Sequence, residues 1–254
     1  WGSTSWSASG CRISRAQEPA RCSSCCQHFP VRCYGRLYCT CCVACAATTG
    51  SVDVNRANLL LASSSPRRAE LLRQLGVRFN CQPADVDETP LPGEAPGDYV
   101  ERLARDKAET VFRQQDAAAE IAVLAADTTV VVDHDLLGKP RNMADGLAIL
   151  KRLSGRDHRV YTAVCLRHLD GSDCTVVETE VRFAELSEDT CLAYLATEEP
   201  WDKAGAYGIQ GLGGALVSAI KGSYSNVVGL PLCETWRMLQ RRGIPNSLES
   251  PRDE

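Results

Sequence analysis

The stretch Leu59-Leu60-Leu61-Ala62-Ser63-Ser64-Ser65-Pro66-Arg67-Arg68-Ala69-Glu70-Leu71-Leu72 carries a short apolar run into three serines, then a proline, two arginines and an amphipathic segment. It reads as a strand over residues 59–62 and a helix over residues 67–75, closed by Gly76. Proline suits a first helical turn, where its missing N–H is not needed. Two arginines suit it less, because the amino end of a helix already carries partial positive charge. The arrangement makes sense around an anion, on which serine hydroxyls, free backbone N–H groups and guanidinium forks would converge. The plainer alternative is an exposed basic turn capped by serine, and the segment alone leaves both open.

Outward from this turn, strand-like and helix-like segments alternate. Residues 77–82 read as a second strand, 85–97 as a loop, and 98–114 as a long helix with Asp98 as its cap. Residues 121–126 and 129–132 are apolar enough for buried strands, which puts Asp127 at the end of the first. Asn142 caps a helix running to Leu153, and Ser187 caps another to Ala196. Residues 158–168 and 174–184 form strands joined across Asp170-Gly171, a hairpin signal. Residues 216–220 and 224–228 pair across Lys221-Gly222, and a last helix covers 232–242. Such a mixture implies an α/β sheet covered by helices.

The 254 residues suffice for one large domain or two modest ones, and the apolar content of 44% is that of a protein with a real core. No run is long enough to span a bilayer. The net charge of −4 hides an asymmetry: residues 1–52 hold five arginines and only Glu18, leaving a net of −8 over residues 53–254. So acidic a body is a poor match for polymeric nucleic acid, which needs a basic footprint. Nine of the 14 cysteines fall in the first 45 residues. The other five (Cys81, Cys165, Cys174, Cys191 and Cys233) show no pairing or motif spacing, which suggests reduced thiols in an intracellular protein. Residues 1–52 have no helical or strand period. They read first as a disordered or non-native extension, then as a targeting segment. Third comes a zinc module, on the spacing of Cys22/Cys25 and Cys42/Cys45.

Several positions carry chemistry. Lys107 falls on the apolar stripe of the long helix, formed by Val100, Leu103, Ala104, Ala108 and Val111. An inward charge needs a partner, whereas a snorkelling lysine at the stripe edge does not. Asp127 stands where α/β folds place ligands, and there it could hold a cation or deprotonate a water; the alternative is a turn aspartate capping Thr128 or Thr129. Lys139 projects from the turn Gly138-Lys139-Pro140, and Asp87-Glu88 offer carboxylates in a loop. The small residues Ala204, Gly205, Ala206 and Gly208 around Tyr207 allow close backbone approach. Gln210 can both donate and accept, as recognition of a nucleobase edge requires.

Seven ordered blocks complete the reading: LASSSPRR (61–68), RLARDKA (102–108), AADTTVVVD (125–133), LGKPRN (137–142), LSGRDHRVYTAV (153–164), DKAGAYGIQG (202–211) and SNVVGLPL (225–232). Together they resemble the Maf family of nucleoside triphosphate pyrophosphatases, and the form DKAGAYGIQG resembles its dTTP/UTP branch. The resemblance implies an α/β fold with a mixed, elongated sheet, flanked by helices around a central nucleotide-binding cleft, as in inosine triphosphatases. It implies a catalytic domain over residues 58–243, an extension over 1–57 and a polar tail over 244–254. It implies cleavage between the α and β phosphates with a divalent metal, Mg²⁺ or Mn²⁺, in the cytoplasm, and members that pair as homodimers. By position, Asp127 matches the proton acceptor. Ser65, Arg67 and Arg68 match the phosphate-binding turn, and Glu88, Lys107 and Lys139 match further polar residues of the site. Arg67, Thr128 and Gln210 match positions linked to substrate choice. Glu88 and Asp127 would hold the metal that bridges phosphate oxygens. A second reading, from the family's link to septum formation, is a nucleotide-sensing regulator that does not need catalysis.

Overall fold

The computed structural model describes residues 58–116 and 120–248. The expectations for residues 1–57 (extension, targeting segment, zinc module) lie outside the described residues, as does the tail beyond residue 248. In chain order the elements are β1 (Leu59–Leu61), α1 (Pro66–Gln74), β2 (Asn80–Cys81), α2 (Pro96–Arg113), β3 (Ala122–Val132), β4 (Asp135–Leu137) and α3 (Met143–Leu153). They continue with β5 (Asp157–His168), β6 (Gly171–Phe183), α4 (Glu188–Leu195), β7 (Val217–Lys221), α5 (Tyr224–Val228) and α6 (Leu232–Arg241). Among the described residues the strands form one mixed seven-stranded sheet in the order β2-β1-β3-β5-β6-β7, with β4 beside β3. β1 runs parallel to β2 and β3, and the other pairings are antiparallel.

Strand alternation divides the core. Leu124 and Ala126 of β3 face α1, α5 and α6 through Leu71, Leu72, Val228 and Met238. Val123 and Ala125 face α2 through Val100, Ala104, Ala108 and Val111. Beyond the site, Val130 and Val132 join α3 and α4 in a third cluster with Leu150, Leu153 and Leu195. Each fully buried Val or Leu in these clusters contributes roughly 1.5–3 kcal/mol by leaving water.

Several expectations need correction. Strand β3 is continuous through Asp127 and Thr128, so Asp127 is not a strand-end acid. β5 pairs with β3 from Val123 to Val131 without a break, and Asp127 stays in the ladder because its charge is met by a side chain. The second strand shrinks to Asn80–Cys81. The long helix starts at Pro96 rather than after Gly97; Ala95 is its cap residue and Asp98 lies in its first turn. Residues 224–228 form a helix, not a strand partner for β7. Ser223 caps that helix by accepting from the Asn226 N–H, and Gly229 at φ 121° ends it. Finally, Cys165 and Cys174 stand directly opposite each other across β5 and β6 and are joined by a disulfide. Strand register pairs them although their sequence spacing announces nothing, while Cys81, Cys191 and Cys233 are free.

Candidate active site

The sheet itself makes the opening. On the edge of β3 opposite β5, β1 is in register with Ala122 to Leu124 and β4 with Val130 to Val132. Residues 125–129 thus have no strand partner on that edge, at the carboxyl end of β1, where open α/β sheets hold ligands. A cavity of about 780 Å³ lies there. Ser65, Arg67, Arg68, Glu88, Lys107, Asp127, Thr128, Lys139 and Gln210 all line it, so chain positions from 65 to 210 that the sequence singled out meet in one hollow.

The Ser63-Ser64-Ser65 turn leads from β1 into α1. Ser65 is the cap residue, yet its hydroxyl makes no capping bond, and no acid occupies the first turn. The turn is braced instead by the Ser65 N–H donating to Ser63 Oγ (3.1 Å). Arg68 lies flat in the wall. Its Nε donates to Gly229 O (2.9 Å), Nη2 to Thr128 Oγ1 (3.1 Å) and Nη1 to Ser63 Oγ (3.4 Å). A guanidinium has five N–H donors, so one N–H on each terminal nitrogen remains to grip an anion as a fork. Burial pushes the Arg68 pKa down, Asp127 pushes it back up and Arg67 adds to the lowering. Gly229 is required here: its φ is 121°, and an added Cβ would lie 3.4 Å from Thr128 Oγ1 and 3.5 Å from Arg68 Nε.

On the α2 side, Lys107 Nζ donates to Asp127 Oδ1 and to Glu88 Oε1, both at 2.6 Å. Lys107 therefore points inward with two partners and does not snorkel. Burial raises the Glu88 pKa, but the Lys107 hydrogen bond and the charges of Lys107, Lys139 and Arg68 outweigh it and hold the carboxyl below its ordinary value. Tyr99 also lines this wall, its hydroxyl donating to Glu88 O (2.9 Å); burial, then the Asp127 and Glu88 charges, push the phenol up to about 12.

Arg67 reaches across to Asp202 (2.9 Å), and Asp202 also takes Lys203 Nζ (2.6 Å). Lys139 and Gln210 are exposed on the rim. The loop carrying Gln210 is held from behind by Glu199, which accepts from Tyr194 Oη (2.9 Å), Leu212 N (2.9 Å) and Gly213 N (3.0 Å). Burial raises the Glu199 pKa, but these donors and Lys203 bring it below the ordinary value. Sequence reasoning missed Ser63, Tyr99, Glu199 and Asp202 as site residues. Asp202 heads the DKAGAYGIQG block and Ser63 stands in the serine run, so both had a signal; Glu199, in Thr-Glu-Glu-Pro, had none.

A family model described as "Maf-like protein" matches residues 58–242. The dTTP/UTP pyrophosphatase of Hahella chejuensis is 51% identical over 189 residues, covering 74% of this chain and 94% of the relative. That of Methylobacillus flagellatus is 50% identical over 193 residues (76% and 96%), and that of Anaeromyxobacter dehalogenans 52% over 197 residues (76% and 98%). A solved dITP/XTP pyrophosphatase from Mycobacterium abscessus overlaps with a TM-score of 0.33 and 19% identity, over 50% of this chain and 75% of that one, too little to carry an argument. The family match spans most of the chain, and the seven sequence blocks fall inside it, so this chain belongs to the Maf-like protein family.

Proposed function

We propose that this protein hydrolyses pyrimidine nucleoside triphosphates, dTTP and UTP, between the α and β phosphates, releasing the monophosphate and pyrophosphate. One observation carries the reading: the phosphate-binding turn, the Lys107-paired carboxylates and Gln210 line the same cavity. The catalytic unit in this reading is residues 58–243, working inside the cell, where such nucleotides are held. Among the described residues no helix is long and apolar enough to cross a membrane.

The donor set fits a divalent cation that arrives with the substrate. Among the described residues no group of three or more His, Cys, Asp and Glu side chains forms a metal cage. Lys107 Nζ holds two carboxylates, Glu88 and Asp127, side by side through one oxygen each, and Mg²⁺ commonly takes one or two carboxylates with the remaining positions filled by phosphates and water. Charge balance agrees. In the cavity wall Arg67, Arg68, Lys107, Lys139 and Lys203 outnumber Glu88, Asp127, Glu199 and Asp202 by one, which leaves a triphosphate under-neutralised by the protein alone. The cation, held by Glu88 and Asp127, would supply charge neutralisation on phosphate oxygens. Arg68 and Arg67 grip the phosphates, Lys139 covers them from the rim, and Gln210 and Thr128 meet the nucleoside. Asp127 takes a proton from water as the water oxygen bonds to the α phosphorus. The bond from that phosphorus to the bridging oxygen breaks, and pyrophosphate leaves with the electron pair.

The experiment is turnover of dTTP and UTP with Mg²⁺ or Mn²⁺, with products resolved. Pyrophosphate and monophosphate are expected; orthophosphate and diphosphate would reject the bond assignment. Asp127→Asn should lower kcat by about 10²- to 10⁴-fold while nucleotide binding is largely kept. Unchanged turnover would remove Asp127 as the base.

A further inference from the structure

Behind the cavity wall, a chain of hydroxyls has a direction that the contacts fix. Thr162 Oγ1 lies 2.9 Å from the backbone carbonyl of Asn226 and 3.0 Å from Thr128 Oγ1. A carbonyl can only accept, so the single hydroxyl hydrogen of Thr162 is engaged on Asn226 O. In the Thr128–Thr162 contact, Thr128 must then be the donor. Arg68 Nη2, which can only donate, occupies a lone pair of Thr128 at 3.1 Å. What Thr128 retains for the cavity is one lone pair and no hydrogen. The end of the chain is anchored. Asn226 is fully buried, and its amide donates to Val160 O (3.1 Å) and Thr179 Oγ1 (2.9 Å). Thr162 is fully buried as well, pairing with Thr128 across β5 and β3 on one face of the sheet.

We propose that Thr162 is a positioning residue for base selection: by taking the proton of Thr128 it makes Thr128 an acceptor-only contact, so the cavity favours pyrimidines that carry a ring N3–H over cytosine. Uracil and thymine bring a donor to that lone pair. Cytosine brings a second acceptor at the same ring position, and two lone pairs repel. This inference rests on the pyrimidine nucleotide reading above and adds the means by which Thr128 discriminates within that class.

The test measures pyrophosphate release by the full chain from UTP, CTP and 3-methyl-UTP, the last lacking the N3 hydrogen. The wild-type kcat/KM for UTP should exceed that for CTP and for 3-methyl-UTP by about tenfold or more, the worth of one net hydrogen bond. Thr162→Val removes the hydroxyl with little change of shape and frees the Thr128 hydrogen to turn toward the cavity. Its UTP-to-CTP ratio should fall toward one, and Thr162→Ser should restore the wild-type ratio. Equal wild-type turnover of UTP and CTP, undiminished turnover of 3-methyl-UTP, or a Thr162→Val variant slowed equally on both nucleotides would each overturn the proposal. The two wild-type comparisons need no variant, so a poorly folding Thr162→Val leaves it open to refutation. Failure to release pyrophosphate from UTP at all would count against the underlying assignment instead.

Discussion

Lys107 and Arg68 reach the same cavity from opposite faces of β3, and their hydrogen bonds differ in kind. Lys107 donates to two carboxylates, Asp127 and Glu88. Arg68 donates to three neutral oxygens, those of Gly229, Thr128 and Ser63. Alternation along one strand explains the geometry: Asp127 points to the α2 side and Thr128 to the α1 side, one residue apart. The difference teaches what each cation is for. The charge of Lys107 is matched within the protein, so it sets the spacing of the two acids. Arg68 is fixed in place by groups that leave its charge uncompensated, so the charge is available to a ligand.

The strongest way to break this comparison is Lys107→Met. If Lys107 holds two acids together, its loss leaves the nearly buried Asp127 carboxylate beside Glu88 without a countercharge. Leaving one partner of a buried pair uncompensated costs about 3–5 kcal/mol, so urea unfolding should show a drop of that order at pH 7. Combining Lys107→Met with Asp127→Asn should recover much of it. A drop below about 1 kcal/mol would show that the carboxylates are solvated independently and that the two cations do not differ as described.

His158 sharpens the contrast, since this buried base has no carboxylate partner and meets a single neutral oxygen. It bonds the Tyr207 hydroxyl through Nε2 (2.8 Å) and packs edge-on to Phe183 and Tyr207. Burial pushes its pKa down to about 4, with Asp157 opposing. The folded protein thus holds His158 neutral, whereas the unfolded chain takes up a proton near pH 6.5. The stability contribution is complete above pH 6.5 and is lost as pH falls toward 4, by at most about 3 kcal/mol. Denaturant unfolding at pH 7 and pH 4.5 should show this slope, and His158→Gln should flatten it. An equal slope in both proteins would assign the acid sensitivity to other groups.

Arg68→Lys keeps the charge and removes the fork. If the two remaining N–H groups grip phosphate, the KM for dTTP should rise about 10- to 100-fold, with kcat affected less, because a charge-assisted bidentate contact is worth about 1.5–3 kcal/mol. An unchanged KM would place the phosphates away from Arg68.

The parts of this division that were legible in the sequence are those written in local pattern. Pro66 beside two arginines, an inward lysine on a helical stripe and an acid after an apolar run are visible without a fold. Both helix caps at Asn142 and Ser187 were legible for the same reason, and both side chains do cap. What was hidden depends on register. The unbroken path of β3 through Asp127 is dictated by β5, more than thirty residues further on. The Cys165–Cys174 bond follows from a hairpin alignment. The 224–228 segment has strand-like residues, and the Ser223 cap with the buried Asn226 amide turns it into a helix. Glu199 works through backbone N–H groups of a loop, which no side-chain pattern announces.

The smallest effect concerns Ser65, and it separates residues that serve the ligand from residues that serve the fold. Replacing a capping serine by alanine ordinarily costs about 0.5–2 kcal/mol of stability. Ser187 is such a cap, accepting from the Thr190 N–H at 3.1 Å, so Ser187→Ala should cost about 1 kcal/mol and leave the KM alone. Ser65 occupies the equivalent position on α1 but makes no capping bond, so Ser65→Ala should change stability by less than about 0.5 kcal/mol. Ser65 lines the cavity beside Arg67 and Arg68, so the same variant should raise the KM for dTTP several-fold. Thermal unfolding and steady-state kinetics on the two variants decide the matter. A Ser65→Ala protein as destabilised as Ser187→Ala, with an unchanged KM, would make Ser65 an ordinary helix cap and leave Arg68 without its neighbour in holding phosphate.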